Sequence, residues 1–146
     1  MKAVVQRVSS ASVSIDGKLQ GAIDKGLLVL LGIKDSDDEE IAKWFANKLV
    51  NLRIFSDESG KMNRSVLDIG GGILLISNFT LYGDTRKGYR PSFSKAASPD
   101  IAKPLYDKML DNLRSNKSLK IEAGVFGAMM NVALVNDGPV TVIIEK

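Results

Sequence analysis

The sequence predicts an α/β fold: a single layered domain, sheet packed on sheet, with two helices over one outer face. Three observations carry this. Residues 27–33 and 73–76 are near-continuous apolar runs, as in strands covered on both faces. Between them Ile41, Trp44, Phe45, Leu49 and Leu52 recur at helical spacing. Leu105, Tyr106, Met109, Leu110 and Leu113 do the same further on. Helical stripes set between groups of strands, without internal repeat or linker, make one domain over residues 1–146.

Taken in order, residues 2–8 alternate loosely and 11–15 strictly, with Val13 and Ile15 on one face. Asp16-Gly17 is a hairpin signal, 19–23 the returning strand, and Asp24-Lys25-Gly26 a turn before the 27–33 strand. Ser36-Asp37-Asp38-Glu39 has the capping-box pattern: a hydroxyl, acids in the first turn, and Glu three residues on. Trp44 and Phe45 behind it are expected to pack on the sheet. Residues 53–56 read as a short strand, 57–60 as a turn and 61–68 as extended.

Gly70-Gly71-Gly72 feeds the 73–76 strand and lacks the Gly-Lys-Ser/Thr of a phosphate loop. Residues 82–97 are polar and basic without a period, and a loop that long beside a strand end is usually functional. Ser98 reads as a cap and Pro99 as the first residue of the second helix. Pro104 then implies an irregular first turn or a regular helix starting near Lys103. Residues 119–122, 128–135 and 140–144 complete nine or ten strands. The last two are joined by Asn136-Asp137-Gly138-Pro139, which is turn chemistry.

Composition removes whole classes of chemistry. With no His and no Cys, Ser-His and Cys-His nucleophile pairs are excluded, as are imidazole and thiolate zinc sites. No acidic spacing resembles a calcium loop, and no cofactor is expected. No apolar run reaches the length of a membrane span and the N-terminus lacks a signal-peptide plan, so the expectation is a cytoplasmic protein with no membrane partner. A net charge of +3 is modest. Its placement is more informative: Arg86, Lys87, Arg90, Lys95 and Lys103 share a stretch with only Asp84 and Asp100. That pattern suits either a solvated face or a phosphate-contacting surface.

Two polar motifs follow buried runs: Ser77-Asn78-Phe79-Thr80-Leu81 and Asn136-Asp137-Gly138-Pro139-Val140-Thr141. Together they closely resemble the two signature motifs of the D-aminoacyl-tRNA deacylases. The opening Met1-Lys2-Ala3-Val4-Val5-Gln6-Arg7-Val8 and the stretch Arg86-Lys87-Gly88-Tyr89-Arg90-Pro91-Ser92-Phe93 resemble that family too, so the likeness covers the whole chain. One position departs: Asn78 stands where the family usually has Gln, the same amide one methylene shorter.

The resemblance implies hydrolysis of the ester joining a D-amino acid to the terminal ribose of tRNA, as chiral proofreading in translation. It implies Ser77, Phe79 and Thr80 as the catalytic group. Asn78, Gly138, Pro139, Val140 and Arg7 would form the substrate-binding group. Two mechanisms fit. Thr80 attacks as a nucleophile, although no His exists and no Lys or Glu accompanies it in either motif. Alternatively water attacks, the Phe79 and Thr80 backbone amides receive the oxyanion, and the ribose 2′-hydroxyl assists proton transfer; this is the favoured reading.

By the same resemblance Gly138-Pro139 is a cis peptide that enters the active site of the partner in a homodimer, with Arg7 holding the loop in place. Its backbone would admit hydrogen on one side of the substrate's α-carbon and reject an L side chain. Glycine would escape that filter, making glycyl-tRNA mischarged on tRNA-Ala a second expected substrate. Phe79 suits contact with the terminal adenine, or a plain role as a core anchor. The competing readings are a non-catalytic RNA-binding module using residues 86–103, a structural dimer, and an editing enzyme for an achiral or small L-amino acid.

Overall fold

The computed structural model describes residues 1–146. Its spine is β1 (Lys2–Ile15), one 14-residue strand where the sequence suggests two. The first half of β1 pairs antiparallel with β3 (Gly26–Gly32), from Lys2↔Gly32 to Val8↔Gly26. Its second half pairs with β2 (Lys18–Ile23) across the Asp16-Gly17 turn, where both residues have positive φ as a tight hairpin requires. Along the other side of β1 runs β8 (Asn131–Glu145). The apolar β6 (Gly72–Ser77) lies parallel to β3, and β7 (Lys120–Ala123) parallel to β6. A small hairpin, β4 (Phe55–Ser56) with β5 (Met62–Arg64), stands apart.

The two expected sheet layers belong to one continuous six-stranded sheet that curls over itself. Its contact is close: a Cβ on Gly21 of β2 would lie 3.2 Å from Glu122 Cβ on β7, and one on Gly72 2.8 Å from Ile23 Cγ2. The inside of the curl holds a small core of Val8, Ala11, Val13, Ile23, Leu28, Leu74 and Ile76. The main core of 25 buried residues lies on the opposite face, under α1 (Glu39–Val50) and α2 (Pro99–Arg114). Phe45, Leu49, Met109 and Leu113 are fully buried there, whereas Trp44 is half-buried, edge-on to Phe45 at 5.2 Å. Side chains of that size each contribute about 1.5–3 kcal/mol by leaving water.

Three local expectations are corrected. Asp38, not Ser36, caps α1, accepting from the Ile41 amide at 2.8 Å. The neighbouring Asp37 is drawn inward, where it pairs with the buried Met1 amine and accepts from the Lys34 amide. That contact sets where the helix begins. The second helix runs unbroken through Pro104: the bond lost is the one to the Asp100 carbonyl, on the exposed side near the helix start. Finally, 128–135 and 140–144 are not two strands joined by a turn; residues 131–145 are one strand, interrupted by a bulge.

Both parallel connections carry a helix, so the C-terminal ends of β3, β6 and β7 emerge at one end of the sheet. Ligands of open α/β sheets collect outside such ends. Tyr106 fastens α2 there, donating its hydroxyl to the Leu75 carbonyl at 3.0 Å in the buried interior. No helix is long and apolar enough to cross a membrane.

Candidate active site

A cleft of about 530 Å³ opens at the C-terminal ends of the three parallel strands. Leu31 and Ile33 at the end of β3 line it, with Ser77 and Asn78 at the end of β6 and Phe126–Met129 beyond β7. The remaining wall comes from the 82–97 loop and the start of α2, through Phe93, Ala97 and Ala102. The Ala97 amide donates to the Ile33 carbonyl at 2.9 Å and ties the loop back to β3. Most of the lining is apolar, and Ser77 and Asn78 bring the polar side chains.

The chain leaves β6 through a single 3-10 turn, Phe79–Tyr82. The Asn78 amide donates to the Leu31 carbonyl at 2.8 Å, holding the turn against β3. The first bond of the turn runs from Leu81 N to the Asn78 carbonyl, so the turn offers the Phe79 and Thr80 amides no carbonyl partner. Thr80 Oγ1 donates to Asn78 Oδ1 at 2.5 Å. The shorter amide thus folds back on the hydroxyl two residues ahead, and Thr80 is exposed. Phe79 is 58% exposed and meets Phe93 edge-on at 5.2 Å, so it walls the cleft instead of anchoring the core.

The second motif is a bulge in β8. Gln6 pairs with Thr141 and Val8 with Asn136, so residues 137–140 stand opposite Arg7 alone. Asn136 closes the neck: its Oδ1 accepts from the Val140 amide at 3.1 Å, and its Nδ2 donates to the Val140 carbonyl at 3.1 Å and to the Arg7 carbonyl at 3.3 Å. Arg7 Nε donates to the Asp137 carbonyl at 2.7 Å, and its Nη1 to the Ile54 carbonyl at 2.7 Å. The Gly138-Pro139 peptide is cis and both residues are exposed. A Cβ on Gly138 would fall 1.9 Å from the Val140 nitrogen. Val140 turns its side chain into the main core, leaving only its backbone at the bulge.

Ser77, Asn78, Phe79 and Thr80 are therefore gathered at one site, and Arg7, Gly138 and Pro139 at another. Within one chain the two do not meet. From the strand register they lie roughly 13 Å apart along the strands and roughly 14 Å across them. Phe93 belongs to the 86–93 stretch that carries the resemblance, whereas Phe126 and Gly127 had no signal in the sequence and Ala128 and Met129 read as the start of a strand; only the meeting of three strand ends makes 126–129 cleft residues. No group of three or more Asp, Glu, His or Cys side chains converges to hold a metal.

A sequence model of the family described as D-Tyr-tRNA(Tyr) deacylase matches residues 4–145. The chain is 57% identical over 146 residues to the D-aminoacyl-tRNA deacylase of Thermosipho africanus, covering 100% of this chain and 97% of that one. It is 56% identical to the protein of that name from Koribacter versatilis, with the same coverage. Among solved structures, one described as c-Myc DNA Unwinding Element Binding Protein superposes with a TM-score of 0.91 at 43% identity, over 100% of this chain and 99% of that one. A probable eukaryotic D-amino acid tRNA deacylase shares the fold at a TM-score of 0.83 and 17% identity, over 98% and 97% of the two chains. Two motifs on one curled sheet, a match over nearly every residue and relatives above half identity place this chain in the D-Tyr-tRNA(Tyr) deacylase family.

Proposed function

We propose that the protein hydrolyses the ester of D-aminoacyl-tRNA, releasing free D-amino acid and tRNA. The observation that carries the reading is the cleft beside Ser77–Thr80, in a family-matched chain that has no His and no Cys. An aminoacyl ester is already activated, so positioning and oxyanion stabilisation suffice where a strong nucleophile is missing.

The terminal adenosine lies in the apolar cleft, with Phe79 and Phe93 against its base. The ester carbonyl faces the Phe79 and Thr80 amides. Water attacks that carbonyl, the bond to the ribose oxygen breaks, and the water's proton passes to that oxygen with help from the neighbouring 2′-hydroxyl. Thr80 has committed its hydroxyl proton to Asn78, so it presents an acceptor to the attacking water or the substrate ammonium. It orients; it does not attack.

Chirality is set by a second copy of the chain. Each protomer's Gly138-Pro139 bulge completes the other's cleft in a homodimer with a two-fold axis. Two features support this: the separation of the motifs within one chain, and the edge position of β8. That strand pairs only with β1 and carries exposed Val135 and Ile143 on either side of the bulge. An unpaired apolar edge of such length calls for a cover. Rigid backbone at the α-carbon rejects an L side chain, and a glycyl ester, including one on tRNA-Ala, passes the filter.

Hydrolysis of matched D- and L-tyrosyl-tRNA, with and without chelator, tests the assignment. Loss of the D-ester alone, unchanged by chelator, is expected. Loss of both esters would remove the Gly-Pro filter. Loss of neither, with RNA still bound, would leave a binding module.

A further inference from the structure

Residues 84–95 rise from the wall of the cleft as a finger. Asp84 and Ser92 pair through their backbones in both directions, at 2.7 and 3.0 Å, and close its base. The Asp84 carboxylate accepts from Arg86 Nε at 2.9 and 3.0 Å and pairs with Lys95 at 3.4 Å. Gly88 at the tip has a φ of +66°, in the left-handed region where a side chain is strained. Around this tight tip Lys87, Tyr89 and Arg90 are exposed. Tyr89 is fully exposed, and neither Lys87 nor Arg90 has an ion-pair partner.

The finger also carries the charge of the molecule. It holds four of the 20 basic residues and one of the 17 acids, so the entire net charge of +3 arises there and the rest of the chain is neutral. Phe93, near its base, touches Phe79 in the cleft. A cleft suited to the end of a nucleic acid chain is therefore continuous with a cationic tip bearing a free aromatic face. Cations take phosphates, and an exposed ring takes an unpaired base. An acidic protein surface would engage the cations, but it would leave that ring and its link to the cleft without a role.

We propose that the finger binds the single-stranded 3′ end of the RNA substrate: Lys87 and Arg90 contact its phosphates, and Tyr89 stacks on an unpaired base preceding the terminal nucleotide. This rests on the assignment of the cleft to that terminal nucleotide.

The test compares a D-aminoacyl-tRNA with a D-aminoacyl ester of adenosine, which has the same reactive bond and no phosphates. Wild type is set against Lys87→Ala/Arg90→Ala, Tyr89→Ala and Tyr89→Phe, and binding of the uncharged tRNA is measured across a salt series. The double variant is expected to raise KM for the tRNA ester about tenfold or more at unchanged kcat. It should also flatten the slope of log affinity against log salt by about one for each cation removed. Tyr89→Ala should weaken tRNA binding about tenfold, and Tyr89→Phe should not. All variants should hydrolyse the adenosine ester at the wild-type rate. Equal losses on both substrates, or tRNA binding unchanged in the double variant, would overturn the proposal. If wild type hydrolyses neither ester, the deacylase reading falls, and the binding series still decides the finger.

Discussion

Arg7 and Asp137 are joined twice: the guanidinium Nε donates to the Asp137 carbonyl at 2.7 Å and stands 3.3 Å from its carboxylate. The Arg7 side chain is only 12% exposed, and its other arm reaches the Ile54 carbonyl. One residue therefore fixes the bulge to the sheet and to the segment before β4. Arg7→Ala should lower stability by about 1–3 kcal/mol, because two partly buried carbonyls lose their donor. The D-over-L preference should fall by more than the D-ester rate does. Thermal unfolding and paired hydrolysis assays check both; full selectivity in the variant would dissociate Arg7 from the filter.

Gly138→Ala has a steric origin instead. The added methyl would fall 1.9 Å from the Val140 nitrogen and 2.9 Å from Asn136 Oδ1, so the bulge must rearrange. Chiral selectivity should collapse, while the fold should hold because Val140 alone ties the bulge to a main core of 25 residues. Circular dichroism and the D/L rate ratio are the readouts.

Thr80→Ala should keep measurable activity, reduced about ten- to a hundredfold, since attack comes from water. A complete loss in a folded variant that still binds tRNA would return Thr80 to the role of nucleophile. Asn78→Ala frees the Thr80 hydroxyl and should depress kcat in the same range.

Arg86 hydrogen-bonds, first through its side chain and then through its backbone, hold the Asp84 carboxyl well below the usual carboxylate range. A group depressed in the folded state contributes stability above its unfolded pKa, about 3.9, and loses it as pH falls from there through the lower folded value. The clasp at the base of the finger should thus be equally firm at neutral pH and mildly acid pH. Asp84→Asn should release it, and trypsin should then cut faster after Arg86 and Lys87. Unchanged cleavage would mean the Asp84–Ser92 backbone pair suffices.

The helices and the central strands were legible in the sequence because their signals are local and strong: a stripe at helical spacing, an apolar run of strand length. Asn136-Asp137-Gly138-Pro139 misled as a turn because the same residues suit a hairpin and a bulge. Only the pairing of β1 on both sides of it, from Val5↔Val142 to Ser10↔Val135, distinguishes the two. The cap of α1 shifted from Ser36 to Asp38 for a similar reason, since the Met1 amine that claims Asp37 is far away in sequence. Both motifs could be read by resemblance, whereas Phe126–Met129 could not, being an irregular segment made relevant by the ends of three other strands.

β8 meets the body of the fold chiefly through β1, whereas the cleft is built on the far side of β3. Within one chain the part that would judge handedness and the part that would hold the nucleotide therefore share few contacts, so they stay matched across the dimer seam and not through a common core. A lineage could alter which RNA it accepts through residues 84–95 and still inherit its judgement of mirror images intact.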